Sequence, residues 1–164
     1  ARVPGAAQNC LLIRGFGKSY GVTGWRLGYA AGPSWLIAEM VKLQQYLYVC
    51  APTPLQHGAA KAFDEDLSPM VKEYQRRRDL IVARLGKSTE VAFPGGAFYA
   101  FVKVPERLGM TATRFFELAY ERNVLIVPGK TFSSRDTHFR ISFATPLAKL
   151  EQGLSVLEQL LTGR

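Results

Sequence analysis

The chain has few of the residues from which disulfide frameworks and metal sites are built. It holds two cysteines and two histidines in 164 residues. Cys10 and Cys50 are far apart in sequence and lie in apolar surroundings. They read as reduced core residues of a cytosolic protein, not as a disulfide or a metal pair. Long apolar runs are also missing: none approaches the ~18–20 residues of a membrane span, so a soluble, cytoplasmic protein with no membrane partner is expected. The opening Ala1-Arg2-Val3-Pro4-Gly5 has no apolar core directly behind it and is not a secretory signal. Acidic residues are scarce, with 13 Asp and Glu against 21 Lys and Arg and a net charge of +8. Such a balance can serve nucleic acid or anionic substrates. The one dense cluster, Arg76-Arg77-Arg78, lies in a helical pattern, where successive residues point in different directions. It reads as a solvated helix face. With no zinc-finger spacing and no aromatic RNA-binding motif, a nucleic-acid partner is not expected. A hydrophobic content of 48% with 21% charge describes a globular chain.

What is present is concentrated between Leu11 and Ala31. Two apolar runs flank a loop rich in Gly, Ser and Thr, and each run reads as a buried strand. The loop carries Lys18, and Arg26 follows where the second run begins. Glycine lets a ligand approach the backbone closely, so a lysine on a glycine-lined loop at a strand end is a candidate for chemistry.

This stretch resembles the cofactor-lysine segment of class I/II aminotransferases, the fold type I enzymes that use pyridoxal phosphate (PLP). Lys18 and the run Thr23-Gly24-Trp25-Arg26-Leu27-Gly28-Tyr29 carry the resemblance. It implies that Lys18 forms the Schiff base with the cofactor aldehyde and acts as the catalytic base and acid. It also implies that Arg26 holds the cofactor phosphate. The physics suits both roles. An imine-forming lysine must lose its proton easily, which burial beside another cation promotes. A guanidinium offers a planar fork to phosphate oxygens. Where the family often has Ser, three residues and one residue before the lysine, this chain has Gly15 and Gly17. Phosphate binding is therefore expected to rest more on Arg26 and on backbone amides.

The rest of the chain alternates strand and helix patterns, which gives an α/β or α+β architecture. A first strand is expected over Cys10–Arg14 and a second over Trp25–Ala31. After Gly32-Pro33, Ser34 can cap a helix with Leu36, Ile37, Met40, Val41, Leu43 and Leu47 on a broad apolar face. Ala51-Pro52-Thr53-Pro54 breaks it, and a short helix runs from about Leu55 to Phe63. Ser68-Pro69 opens a long helix whose apolar positions are Val71, Tyr74, Ile81 and Leu85, closed by Gly86. Strands follow over Glu90–Phe93 and Phe98–Val104. A helix over Ala112–Glu121 buries Phe115, Phe116, Leu118 and Ala119, with Asn123 as its left-handed cap. Strands over Val124–Val127 and Phe139–Phe143 precede a last helix in which Leu147, Leu150, Leu154, Leu157 and Leu161 recur at spacings of three and four.

The second half is similar to the small C-terminal domain of the same family, through Pro94-Gly95-Gly96-Ala97-Phe98-Tyr99, Val127-Pro128-Gly129-Lys130-Thr131-Phe132 and Phe139-Arg140-Ile141-Ser142-Phe143-Ala144. The resemblance implies that Arg140 pairs with the substrate α-carboxylate. Arg140 sits in an alternating strand, opposite in facing to Phe139, Ile141 and Phe143, and an Arg–carboxylate pair suits an amino acid. Gly96, Ala97 and Phe132 are candidates for the pocket lining, although turn and packing roles come first for them. The expected fold is α/β: residues 1–68 are the C-terminal part of the large PLP-binding domain, and residues 69–164 are a linking helix and the small α+β domain.

The implied activity is transamination between an amino acid and a 2-keto acid, in a homodimer. A PLP lyase or decarboxylase, the aminotransferase-like effector domain of a transcriptional regulator, and an inactive folding or dimerisation unit are the other readings. Family members are more than twice this length, and residues 1–17 contain no acidic side chain that could pair with the pyridine nitrogen. The 164 residues are therefore expected to be a C-terminal fragment, unable by themselves to sustain turnover.

Overall fold

In a computed structural model the chain is described from residue 3 to residue 163; Ala1 and Arg2, at the start of the expected opening loop, lie outside the described residues. The chain divides into two compact units that meet between Leu67 and Ser68.

The first unit is a two-stranded antiparallel ribbon followed by two helices. Strand β1 (Leu12–Gly15) pairs with β2 (Gly28–Ala31), Leu12 opposite Ala31 and Gly15 opposite Gly28. Gly28 is required there, because a Cβ would lie 2.6 Å from the Arg14 carbonyl oxygen. Phe16 N–H donates to the Leu27 carbonyl (3.1 Å) and extends the ladder by one rung. Helices α1 (Ser34–Leu47) and α2 (Thr53–Ala62) follow.

Four expectations for this unit need correction. The strands are not buried: every residue of β1 is exposed, and Ile13 is 69% accessible. The second strand does not begin at Trp25. Thr23–Trp25 form a 3-10 turn, and Arg26 takes a left-handed backbone (φ 51°), which interrupts the extended chain before Gly28. Ser34 does not cap α1; Pro33 holds the N-cap position, with no side-chain cap bond, and the helix has no buried residue on its apolar face. Cys10 and Cys50 are exposed, not core. The common cause is that the pattern of apolar residues records a face that packs against something, without recording which surface it meets. What the unit buries itself is little more than one ring, Phe16, surrounded by more exposed aromatics. Phe16 contacts Tyr20, Tyr29 and Phe63 at centroid distances of 5.9, 5.6 and 5.5 Å, and Ala59 of α2 is buried with it.

The second unit lays three helices on one face of a four-stranded antiparallel sheet. Its elements are α3 (Ser68–Leu85), β3 (Val91–Ala92), β4 (Tyr99–Lys103), α4 (Ala112–Glu121), β5 (Val127–Pro128), β6 (His138–Ser142) and α5 (Leu147–Leu161). Strand order is β3-β4-β6-β5. The alternation of β4 and β6 sorts their side chains by face: Ala100, Val102, Phe139 and Ile141 are buried, and Tyr99, Phe101, His138 and Arg140 are half-buried on the other face. Helices α3, α4 and α5 supply the rest of the core, including Ile81, Leu85, Phe115, Ala119, Leu154 and Leu157. Phe115 and Phe139 stack with centroids 4.9 Å apart.

Asn123 and Gly86 end their helices as expected, and the structure adds an N-cap at Thr111. Thr111 Oγ1 accepts from the Arg114 N–H at 3.2 Å and caps α4, and Asn123 adopts φ 62° after it. Gly86 ends α3 where a Cβ would lie 2.4 Å from the Val82 carbonyl oxygen. Helix α5 uses the predicted leucine stripe, with Leu160 added to the buried set and Leu147 only half-buried. The strand expected over Val124–Val127 narrows to Val127–Pro128. The arginine run on α3, expected as a solvated face, is one only at Arg76; the Arg77 and Arg78 side chains are 18% and 20% exposed and lie over the rings of Tyr74 and Phe93. Arg76 and Arg77 both bond Glu73 (3.1 and 2.9 Å) and Arg78 bonds Asp79; the Arg77 bond keeps the Glu73 carboxyl below the usual carboxylate range.

Candidate active site

The loop between β1 and β2 is built by local hydrogen bonds. Tyr20 N–H donates to the Phe16 carbonyl at 3.1 Å, closing the turn that carries Lys18, and Trp25 N–H donates to the Val22 carbonyl at 3.0 Å. Gly17 is packed within this loop, since a Cβ there would sit 3.3 Å from Thr23 Cα. Gly21 and Gly24 face open space. Lys18 is exposed on the first turn, so the burial expected to ease its deprotonation is not present in this unit. Arg26 donates from Nη1 to the Thr23 carbonyl at 3.1 Å. Its positive φ is uncommon for a residue with a Cβ, and such strain gathers at functional positions. Lys18 and Arg26 thus stand at the same end of one ribbon. A groove of about 930 Å³ in this unit, lined by Ile13, Phe16, Tyr29, Ile37, Gln44 and Phe63 among others, includes neither of them in its walls. Arg14 and Gln56 line it as well, beside Gln44, and it is separate from the loop that carries the two cations.

Arg140 belongs to the second unit, in the middle of β6, where Phe101 faces it from β4 and Val127 from β5. Its guanidinium carbon lies 4.2 Å from the centroid of the Tyr99 ring and 4.4 Å from that of Phe132. No ion pair with a carboxylate forms at Arg140 among the described residues. A cation beside two rings and without a carboxylate partner among the described residues can take an external oxyanion.

Of the two rings beside Arg140, the sequence points to one. Phe132 was a candidate lining residue; Tyr99 had a place in a motif but no assigned role. The strand period carried the missing signal, because Tyr99 and Arg140 must share a sheet face once β4 and β6 pair with Phe101 opposite Arg140. Ala97, another candidate, forms the turn before β4 with φ 58°. Among the described residues no cluster of His, Cys, Asp and Glu could hold a metal ion, and no helix is long and apolar enough to cross a membrane.

An α/β chain whose lysine loop turns on a two-stranded ribbon, followed by a helix-covered antiparallel sheet bearing a ring-flanked arginine, matches one family model. Residues 4–157 match aminotransferase class I and II, and the chain belongs to that family. It is 39% identical to an aspartate aminotransferase of Pyrococcus abyssi, over 98% of this chain and 43% of that protein. It is 36% identical to aromatic-amino-acid aminotransferase 2 of Thermococcus litoralis, again over 98% and 43%. The crystal structure of an aromatic aminotransferase from Pyrococcus horikoshii superposes with a TM-score of 0.90 at 37% identity, covering 99% of this chain and 45% of that one. The chain therefore spans less than half the length of the relatives it matches, and the matched part is the C-terminal part of their chains.

Proposed function

We propose that the chain is the C-terminal portion of a PLP-dependent aminotransferase, one that moves an amino group between an amino acid and a 2-keto acid. The observation that carries this reading is the family match over residues 4–157, and the sequence motifs around Lys18, Arg26 and Arg140 support it. The relatives from Pyrococcus abyssi and Thermococcus litoralis and the matched structure are aminotransferases, which favours transamination over the lyase, decarboxylase and regulator readings. In this proposal the first unit is the end of the large cofactor domain, and the second is the linking helix with the small domain. A cytoplasmic homodimer completes the reading and rests on the family resemblance.

The residues of the ribbon suit the two ends of PLP. An exposed primary amine on a turn can reach an aldehyde, and a guanidinium at the same ribbon end can reach a phosphate, with bare backbone at Gly21 and Gly24 beside them. When bound, PLP supplies an electron sink for bond breaking at the substrate Cα. Lys18 would hold the cofactor through its ε-amine and, once displaced from it, take and return a proton at that carbon. Arg26 would hold the phosphate through its in-plane donors. Arg140 would hold the substrate carboxylate and so fix where the Cα hydrogen points.

Reductive trapping tests the assignment without needing turnover. The chain is incubated with an equimolar amount of PLP, reduced with borohydride and mapped by mass spectrometry. The label should fall on Lys18 ahead of the other lysines. A label spread evenly, or one unchanged by Lys18→Ala, contradicts the reading.

A further inference from the structure

We propose that Tyr99 and Phe132 are positioning residues for Arg140: together they hold its guanidinium plane so that the donor edge, and not a face, is offered to a carboxylate. The carboxylate part rests on the function proposed above; the clamp itself rests on geometry.

Each ring is fixed by a separate part of the fold. Tyr99 opens β4, two residues from the Phe101 that pairs with Arg140, and so reaches the guanidinium diagonally across the strand pair. Its ring also packs on Phe98, with centroids 4.5 Å apart. Phe132 comes from the other side of the sequence, at the end of the 3-10 turn Gly129–Thr131. That turn is pressed onto β6: Gly129 is buried, and a Cβ there would sit 2.6 Å from the His138 carbonyl oxygen. Phe132 N–H closes the turn on the Gly129 carbonyl at 2.8 Å. Its ring leans edge-on against Phe101 at 6.5 Å, and Phe101 is itself stacked on His138 at 5.3 Å. One ring thus depends on strand register and the other on a glycine-tight turn, and both converge on one cation.

A guanidinium left on a flexible stem samples many orientations, and a two-point bond to a carboxylate needs only one of them. Rings over the faces remove most of the others before a ligand arrives. They also leave the in-plane N–H groups as the donors on offer.

The test uses the 164-residue chain with labelled arginine and reads the Arg140 Nε–Hε signal, assigned through Arg140→Lys. Rotation about the guanidinium bond is measured first, and then the response to pyruvate. Slow rotation is expected in the unaltered chain and faster rotation in Tyr99→Leu and Phe132→Leu. Those two variants should bind pyruvate about threefold to tenfold more weakly, and Tyr99→Phe and Phe132→Tyr should restore both readouts. Unchanged rotation in the leucine variants overturns the clamp, whether or not pyruvate binds. Faster rotation with unchanged pyruvate affinity overturns the positioning role. Slow, ring-dependent rotation with no response to pyruvate keeps the clamp and overturns the carboxylate reading.

Discussion

The two units of this chain solve the problem of a core differently. Among the described residues the second unit buries seventeen apolar side chains in one cluster. The first buries two, Phe16 and Ala59, and leaves Trp35, Tyr46, Leu47 and Ile13 largely exposed. At about 25 cal/mol per Å² of apolar surface removed from water, the second unit has a driving force of its own that the first lacks. The residues proposed for the cofactor sit on the first unit, and the residue proposed for the substrate carboxylate sits on the second. The relatives, of which this chain covers 43%, contain more chain than is seen here. A surface of exposed apolar residues is what a larger fold would cover.

Cutting back one apolar side chain in each unit should separate the two most strongly. Phe139→Ala removes a fully buried ring stacked on Phe115 and should cost about 3–5 kcal/mol in urea unfolding. Ile13→Ala, at a residue 69% exposed, should stay within about 0.5 kcal/mol. Equal effects would mean that the first unit has a hidden core. Next in size is the cap of α4: Thr111→Ala should cost about 1 kcal/mol, because it frees the Arg114 N–H, and Thr111→Ser should recover it.

A pH series sharpens the same comparison. Arg84 on α3 reaches Glu158 on α5 through Nε at 2.8 Å and again through Nη2, and it bonds Ser155 Oγ at 3.0 Å. These bonds hold the Glu158 carboxyl below the usual carboxylate range. A carboxyl lowered in the folded state stabilises at pH values above its ordinary range and loses that contribution as pH falls through the lowered value. For a pair whose side chains are 24% and 31% exposed the effect should be small, about 0.5–1 kcal/mol. Glu158→Gln should lower the thermal midpoint slightly at pH 7 and converge with the parent chain in acid. A difference that persists unchanged in acid would remove the pair from the account.

Much of the second unit was legible in the sequence because its signals are local and agree with each other. Helix α4 spans the expected Ala112–Glu121, where the apolar spacing and Asn123 place it. The leucines of α5 and the alternation around Arg140 also read directly as faces. In the first unit the lysine loop was legible as a motif, but its burial was not. The apolar residues of α1 are patterned for contact, and periodicity does not say whether the contacting surface lies within these residues. The left-handed backbone at Arg26 leaves no mark in the sequence for a different reason. Arginine carries no turn signal, so the run from Trp25 to Ala31 looked continuous when it is a turn followed by a strand. The ring clamp on Arg140 depends on a pairing between strands distant in sequence, which only the register reveals.

The contrast between the units is tested most directly by amide hydrogen exchange on the intact chain, read peptide by peptide. Amides of β4, β6 and α5 should share the slowest exchange, as one cooperative block built on the seventeen-residue core. Amides of β1, β2 and α1, the ribbon that presents Lys18 and the helix that buries nothing, should exchange much faster under the same conditions. Equal protection across Leu67 and Ser68 would contradict the account.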